Sequence, residues 1–256
     1  MIKTILITGS TSGIGLGMAK AFAAQGHHII FNGLEADGAA IAQSVADEFK
    51  ISHFFSNANM QQPDAIRVFA QQAMGQFGKI DVLINNAGVQ HVAPLEDFPE
   101  ESWNAIIDIN LSAAFHLTKA VWPKMKEAKW GRVINIASAH GLVASEFKSA
   151  YVAAKHGLVG FTKTIALEGA PFGITANAIC PGYVHTPIID KQIPDQMKAH
   201  NMTREEVIQK VLLEKQAIKS FIPIDTIAQT ALFLASEAAA TLTGVALPVD
   251  GGWTAQ

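Results

Sequence analysis

Along nearly its whole length the chain alternates short apolar, β-branched runs with longer stretches of helical period, and this alternation most constrains the fold. The short runs fall at 4–8, 28–32, 53–56, 82–85, 132–137, 175–179 and 245–249. The helical windows lie at 14–25, 38–50, 64–77, 100–126, 150–168 and 226–236. Most of the short runs are almost continuously apolar, as strands covered on both faces should be. Such alternation predicts a parallel sheet with right-handed crossovers and helices on both faces. The expected architecture is α/β: one doubly wound domain over residues 1–256, with a seven-stranded parallel sheet. One connection is unusually long. The stretch at about 183–222 has no strand signal and one helical window, 204–215, with Val207, Ile208, Val211 and Leu212 on one face. An insertion of this kind reads as a lid over a site or as an extra packing helix.

Charge narrows the function classes. Nineteen basic against 22 acidic side chains leave a formal net charge of −3, whereas a nucleic-acid binder carries a basic domain. Only 16% of residues are charged, below the roughly 25% of an average chain, so much surface is expected to be buried in a core or between subunits. The first apolar run is too short for a signal-peptide core, and no stretch approaches the roughly 18–20 apolar residues of a membrane helix. Cys180 is the only cysteine, which gives neither a disulfide nor a metal framework. The histidines show no metal-ligand spacing and no His-Glu-x-x-His occurs. The expectation is a cytoplasmic protein with no metal, nucleic acid or membrane partner.

The first strand runs directly into Thr8-Gly9-Ser10-Thr11-Ser12-Gly13-Ile14-Gly15, where a helix opens. Glycines there let the backbone turn sharply and approach a diphosphate, whose charge is favoured at a helix N-terminus. No Gly-Lys-Ser/Thr follows, so this is not a P-loop. Further along, Tyr151 and Lys155 stand four apart in a helical window and share a face about 6 Å apart. A tyrosine near pKa 10 is a poor base at pH 7. An ammonium ion at that distance contributes roughly 3 kcal/mol at an effective dielectric of 20, worth about two pKa units. The phenol is thereby expected to move toward exchanging a proton with an alcohol. Taken alone, Tyr-x-x-x-Lys fits an ordinary helix better; preceded by a dinucleotide turn and by Ser138, it fits catalysis.

These motifs, with Asn85-Asn86-Ala87-Gly88 after the fourth strand, Asn110, Ser138, Tyr151-Val152-Ala153-Ala154-Lys155 and Pro181-Gly182, resemble the short-chain dehydrogenases/reductases over essentially the whole chain. The resemblance implies a Rossmann fold and hydride transfer to or from a nicotinamide cofactor. It implies Tyr151 as acid/base, Ser138 as hydrogen-bond partner of the reacting oxygen, Lys155 at the nicotinamide ribose and Asn110 at a relay water. Cofactor contacts would come from Gly9, Thr11, Ser12, Gly13, Ile14 and Gly15 in the first turn, and from Leu34, Asn59 and Met60 around the adenosine. Asn86, Ala87, Gly88, Tyr151, Lys155, Pro181, Gly182, Val184 and Thr186 would complete the site. A homotetramer is also implied, with the windows 100–126 and 150–168 at one interface and the C-terminal strand region at another.

Cofactor choice follows from charge. A 2′-phosphate needs a cation, but the relevant places hold Ser12 and Asn32-Gly33-Leu34, followed by Glu35, which would repel it. NAD is expected, although Gly33 stands where NAD enzymes of the family usually carry an acid. Asn59 replaces a usual Asp and can still accept from the adenine amine.

The segment between Ser138 and Tyr151 must line the substrate side. It offers His140 and Lys148, with Gln90 nearby, and these suit a small carboxylate. Charge alone fits equally well a solvated Lys148 and a His140 that caps a turn. The run Ser138–Ser145, with Lys148-Ser149-Ala150-Tyr151, Gln90-His91, Lys191-Gln192 and the ending Val249-Asp250-Gly251-Gly252-Trp253, resembles bacterial D-3-hydroxybutyrate dehydrogenases. That resemblance implies interconversion of D-3-hydroxybutyrate and acetoacetate, with the carboxylate held by Gln90, His140, Lys148 and Gln192, alongside Ser138 and Tyr151. Tyr183 stands where that group often has Trp, and His185 where it often has Arg. Rival readings are a 3-oxoacyl-carrier-protein reductase, which should prefer NADPH, and a non-catalytic nucleotide sensor, which would not need the four catalytic groups.

Overall fold

The computed structural model describes residues 1–186, 189, 190, 193, 194, 197 and 201–255. Among them seven strands form one parallel sheet: β1 (Thr4–Ile7), β2 (His28–Asn32), β3 (His53–Ser56), β4 (Val82–Asn85), β5 (Gly131–Ile136), β6 (Ile174–Pro181) and β7 (Ala246–Val249). Their spatial order is β3-β2-β1-β4-β5-β6-β7. The order reverses between β1 and β4, so the loops leaving these two strands part there and open a crevice at the C-terminal ends.

Alternation along β1 explains why helices cover both faces. Ile5 and Ile7 join a core with Met18 and Phe22, while Leu6 between them joins a second core with Phe69 and Leu117. The first layer is built by α1 (Gly13–Ala24) and α8 (Ile224–Ala235), the second by α3 (Pro63–Phe77) and α5 (Ala113–Ala128). A Cβ on Gly17 would fall 2.1 Å from the Ile224 side chain, so the close approach of α1 and α8 needs hydrogen at that position. Helix α2 (Gly38–Phe49) completes the first face beside β2 and β3, and α6 (Ser149–Gly169) carries the Tyr-x-x-x-Lys pair.

Two helical windows differ from expectation. The window 100–126 is not one α-helix: α4 (Glu100–Ile107) passes into a π-turn at Asp108–Ser112 before α5 begins. The window 204–215 ends early. A capping box between Thr203 and Glu206 starts α7 (Arg204–Val207), and a π-turn at Ile208–Leu212 closes it. The wider turn leaves Lys215 outside the helix.

Candidate active site

The glycine turn leaves β1 with Gly9 at φ +60° and Gly13 at φ +51°, conformations that favour glycine. A Cβ on Gly15 would lie 2.1 Å from the Gly9 carbonyl oxygen, so the third glycine lets the helix start close over the strand end. Asn86 stitches this turn to β4: its amide donates to the carbonyls of Thr8 (2.8 Å) and Gly9 (3.1 Å). The Thr8 hydroxyl in turn accepts from the backbone of Asn86 and Ala87. No side chain caps the start of α1, and its first amides face a cavity of about 760 Å³. Gly9, Ser12, Gly13, Ile14, Leu34, Asn59, Met60, Asn86, Ala87, Gly88, Tyr151, Lys155, Pro181, Gly182, Val184 and Thr186 all line it. An uncapped helix start facing a cavity of this size fits a dinucleotide.

Glu35 is a member of the site that the sequence reading did not include among cofactor contacts. Its carboxylate accepts hydrogen bonds from Thr11 Oγ1 and from Ser12 Oγ at 2.9 Å. Gly33 makes room for it, since a Cβ there would sit 1.8 Å from Thr11 Oγ1 and 2.6 Å from Glu35 Oε2. The missing strand-end acid is thus replaced in space by an acid two residues later. Burial pushes the Glu35 pKa up, but bonds from Thr11, Ser12 and nearby backbone outweigh it and hold the carboxyl below its usual range. Asn59 Oδ1 accepts from the Gln61 amide at 2.9 Å, which occupies one of its two lone pairs.

Beyond the turn, β5 delivers Ser138 and α6 delivers Tyr151 and Lys155 to the same cavity wall. Lys155 Nζ lies 5.6 Å from the Tyr151 ring centroid and donates to the Ile136 carbonyl at 2.7 Å. Burial lowers the Lys155 pKa to about 8, partly opposed by Cys180. For Tyr151 the expected direction is reversed: burial beside Ile106, Ala150 and Ala154 raises its pKa, and the Ser138 hydrogen bond recovers only part. The ammonium is directed at a backbone carbonyl, so its field does not overcome that burial. Asn110 sits in the first π-turn, where its amide clasps Val89. Oδ1 accepts from Val89 N at 2.9 Å and Nδ2 donates to Val89 O at 3.0 Å.

The substrate-side residues divide. Gln90 lines the cofactor cavity, and its amide nitrogen is buried with no hydrogen-bond partner among the described residues. Lys148 lines an adjoining cavity of about 600 Å³ with Tyr183, Lys215 and Trp253. Its ammonium donates to Tyr183 Oη at 3.4 Å, and burial, with repulsion from Lys215, lowers its pKa to about 8. His140 stands beside Ser138. Its ring is enclosed, with Nε2 2.9 Å from Ser145 Oγ and Nδ1 3.5 Å from Ser138 Oγ. Burial, reinforced by Lys148, Lys215 and His156, pushes its pKa down to about 3. A neutral imidazole so placed orients Ser138 more directly than it offers charge to a carboxylate. Gln192 lies outside the described residues. The sequence reading named Trp253 only as part of the chain's ending and gave no place to its ring, which stacks on Tyr183 at 5.6 Å and meets His140 edge-on at 5.0 Å.

Residues 3–197 match the family model described as short chain dehydrogenase. The chain belongs to the short chain dehydrogenase family. It is 50% identical to a D-beta-hydroxybutyrate dehydrogenase of Rhizobium meliloti (strain 1021), over all of both chains. It is 51% identical to one of Cupriavidus necator, covering 99% of this chain and 98% of that one. A solved actinorhodin polyketide ketoreductase variant with NADPH superimposes with a TM-score of 0.93 at 29% identity, covering 100% of this chain and 98% of the other. As a short chain dehydrogenase the chain is an oxidoreductase that takes a nicotinamide dinucleotide. Among the described residues no group of His, Cys, Asp and Glu could hold a metal ion, and no helix is long and apolar enough to cross a membrane.

Proposed function

We propose that this short chain dehydrogenase uses NAD to interconvert D-3-hydroxybutyrate and acetoacetate. The observation that carries the reading is that Ser138, Tyr151 and Lys155 line the dinucleotide cavity with Gln90, whose amide nitrogen has no partner among the described residues, while Lys148 lines the smaller cavity. Two relatives at about half identity bear the D-beta-hydroxybutyrate dehydrogenase name, which supports the same substrate.

Bound in the cradle, the nicotinamide ring supplies the acceptor for the hydride that leaves the substrate carbon. Tyr151 takes the hydroxyl proton, and returns it in the reverse direction. Its raised pKa keeps the phenol protonated and ready to donate to a ketone; for oxidation it must lose that proton to a relay. Ser138 holds the reacting oxygen, with His140 fixing the serine from behind. Lys155 carries charge to the ribose side, and Asn110 holds the Val89 backbone at the relay's edge. Lys148 and Gln90 hold the carboxylate, so the remote charge orients the reacting carbon. The segment 183–222 acts as the lid, with Gln192 as its contribution to the acid.

NAD over NADP rests on Glu35: a carboxylate held ionised beside Ser12 occupies the place a 2′-phosphate would need, with no cation among the described lining residues there to offset it. A homotetramer belongs to the same reading, supported by exposed Phe115 on α5 and Leu167 on α6. So does a cytoplasmic setting, which suits the free thiol of Cys180.

One steady-state panel tests the substrate. D-3-hydroxybutyrate should be oxidised, while its methyl ester and 2-butanol, which keep the alcohol and lose the charge, should react poorly. Lys148→Ala should cost the acid roughly 1.5–3 kcal/mol in kcat/KM and the ester much less. With its pKa near 8, Lys148 is charged at pH 7 and loses that charge as pH rises through about 8. KM for the acid should therefore climb above that pH while KM for the ester stays flat. A parent enzyme that prefers the neutral compounds would refute the hydroxy-acid assignment and leave the oxidoreductase one standing.

A further inference from the structure

The chain has two tyrosines, and both stand at the site. Tyr151 lines the dinucleotide cavity, while Tyr183 lines the smaller one beside Lys148. The reading above gives Tyr151 its task and leaves Tyr183 with none.

Tyr183 is rooted in the backbone and packed along its ring. Its N–H donates to Gln216 Oε1 and its carbonyl accepts from Ile222 N, both at 2.8 Å. The ring stacks on Trp253, within 7° of parallel, and packs against the cluster of Ile193, Val207 and Leu212. With backbone and ring so held, the freedom left to the side chain is rotation of its O–H bond.

Lys148 sets that rotation. An ammonium has protons to give and no lone pair, so in its 3.4 Å contact with Tyr183 Oη the phenol oxygen is the acceptor. The hydroxyl proton is therefore directed away from Lys148. Burial, reinforced by Tyr151, raises the Tyr183 pKa to about 12, so this proton stays on the oxygen at any working pH. A hydroxyl that accepts from a cation is polarised toward giving its own proton. A carboxylate is the acceptor with which such an O–H forms its shortest and strongest bond. Lys148 and Tyr183 thus present two linked donors on one cavity wall, an N–H and an O–H, and a carboxylate has an oxygen for each.

We propose that Tyr183 is a substrate-binding residue of the acid pocket: its hydroxyl, turned by Lys148, donates to the substrate carboxylate, so that the acid is recognised by a lysine–phenol pair. The proposal rests on the hydroxy-acid reading above, and it moves part of that recognition onto the outgoing stem of the insertion.

The test compares the parent with Tyr183→Phe, Lys148→Ala and the double variant, using D-3-hydroxybutyrate and its methyl ester at saturating NAD. Tyr183→Phe removes one oxygen and keeps the ring on Trp253, so its melting temperature should stay close to the parent's. Its kcat/KM for the acid should fall at least about tenfold, mainly through KM, the low end for a hydrogen bond to a charged group. The ester should change by less than about twofold, since its loss of charge removes the strong acceptor. In the Lys148→Ala background the same substitution should cost the acid about threefold or less, because a hydroxyl no longer turned by Lys148 is not aimed in advance. If Tyr183→Phe keeps the parent's preference for acid over ester, or lowers both substrates equally, the proposal is overturned and Tyr183 only packs on Trp253. A full loss repeated in the Lys148→Ala background overturns the pairing of the two groups. A parent with no preference for the acid overturns the hydroxy-acid reading itself, a result visible before any Tyr183 variant is made.

Discussion

Replacing the Tyr151 phenol by a phenyl ring removes one oxygen and leaves the packing against Ile106, Ala150 and Ala154 in place. Tyr151→Phe should therefore bind NAD as the parent does, while turnover falls by ~10²–10⁴, the range of general acid/base catalysis. A variant that keeps most of its kcat in steady-state assays would refute the role. Glu35 makes a second prediction at this scale. The parent should favour NAD over NADP by more than about tenfold in kcat/KM, or about 1.4 kcal/mol. Glu35→Gln keeps the side chain's shape and removes its charge, so it should narrow that ratio by raising kcat/KM with NADP. An unchanged ratio would mean that Glu35 does not exclude the phosphate. Tyr151 and Lys155 were legible because helical spacing places them on one face. The position of Glu35 was not: it depends on the Cβ-free space at Gly33 and the hydroxyls of Thr11 and Ser12, which only the folded turn brings together. The direction of the Tyr151 pKa was misread for a related reason, since spacing reports a charge nearby but neither how deeply the phenol is buried nor where the ammonium points.

Continuous apolar runs marked all seven strands to within a few residues, because a strand covered on both faces needs apolar side chains at every position. The π-turn at Asp108–Ser112 was invisible, since one extra residue in a turn barely alters a helical apolar pattern. Yet it shapes the site: the π-turn carries Asn110, and its amide meets both polar atoms of the Val89 backbone. Val89 follows the Asn85–Gly88 turn and precedes Gln90, so this clasp ties the cavity wall to the residue proposed to hold the acid. Asn110→Leu should leave the Val89 N–H and C=O without their side-chain partner, at a cost of about 0.5–1.5 kcal/mol in stability for each part-buried hydrogen bond lost. Thermal melts would read that loss, and kinetics should show kcat falling further than the stability change explains. Full activity in a destabilised variant would make Asn110 a structural clasp alone.

Across the whole molecule, the cavity proposed for function lies where the loops from β1, β4, β5 and β6 part at the C-terminal edge of the sheet, and the insertion leaves from β6. The stems of the insertion meet at Gln216, which the sequence presents as an ordinary polar residue in a Lys-Gln-Ala run. Folded, its amide bonds Tyr183 on the outgoing stem and Ile218 and Ser220 on the returning one. Gly182 and Gly251 leave the room: a Cβ at either would lie 2.7 Å from Gln216 Oε1 or 3.0 Å from Nε2. Gln216→Leu keeps much of the volume and removes every bond, so it should destabilise the protein by about 2 kcal/mol, or roughly 4–8 °C in Tm. Gln216→Glu should be worse at pH 7, because it turns the donor that meets two carbonyls into an acceptor and buries a charge beside them. In both variants KM for the acid should rise more than KM for NAD, since Tyr183 and Lys215 line the smaller cavity, beside Lys148, which is proposed to hold the acid, while the glycine turn is held separately by Asn86 and Thr8. Melting curves and a two-substrate kinetic matrix give both readouts, and equal increases in the two KM values would mean that the clasp serves the fold as a whole and not the insertion's hold on the acid.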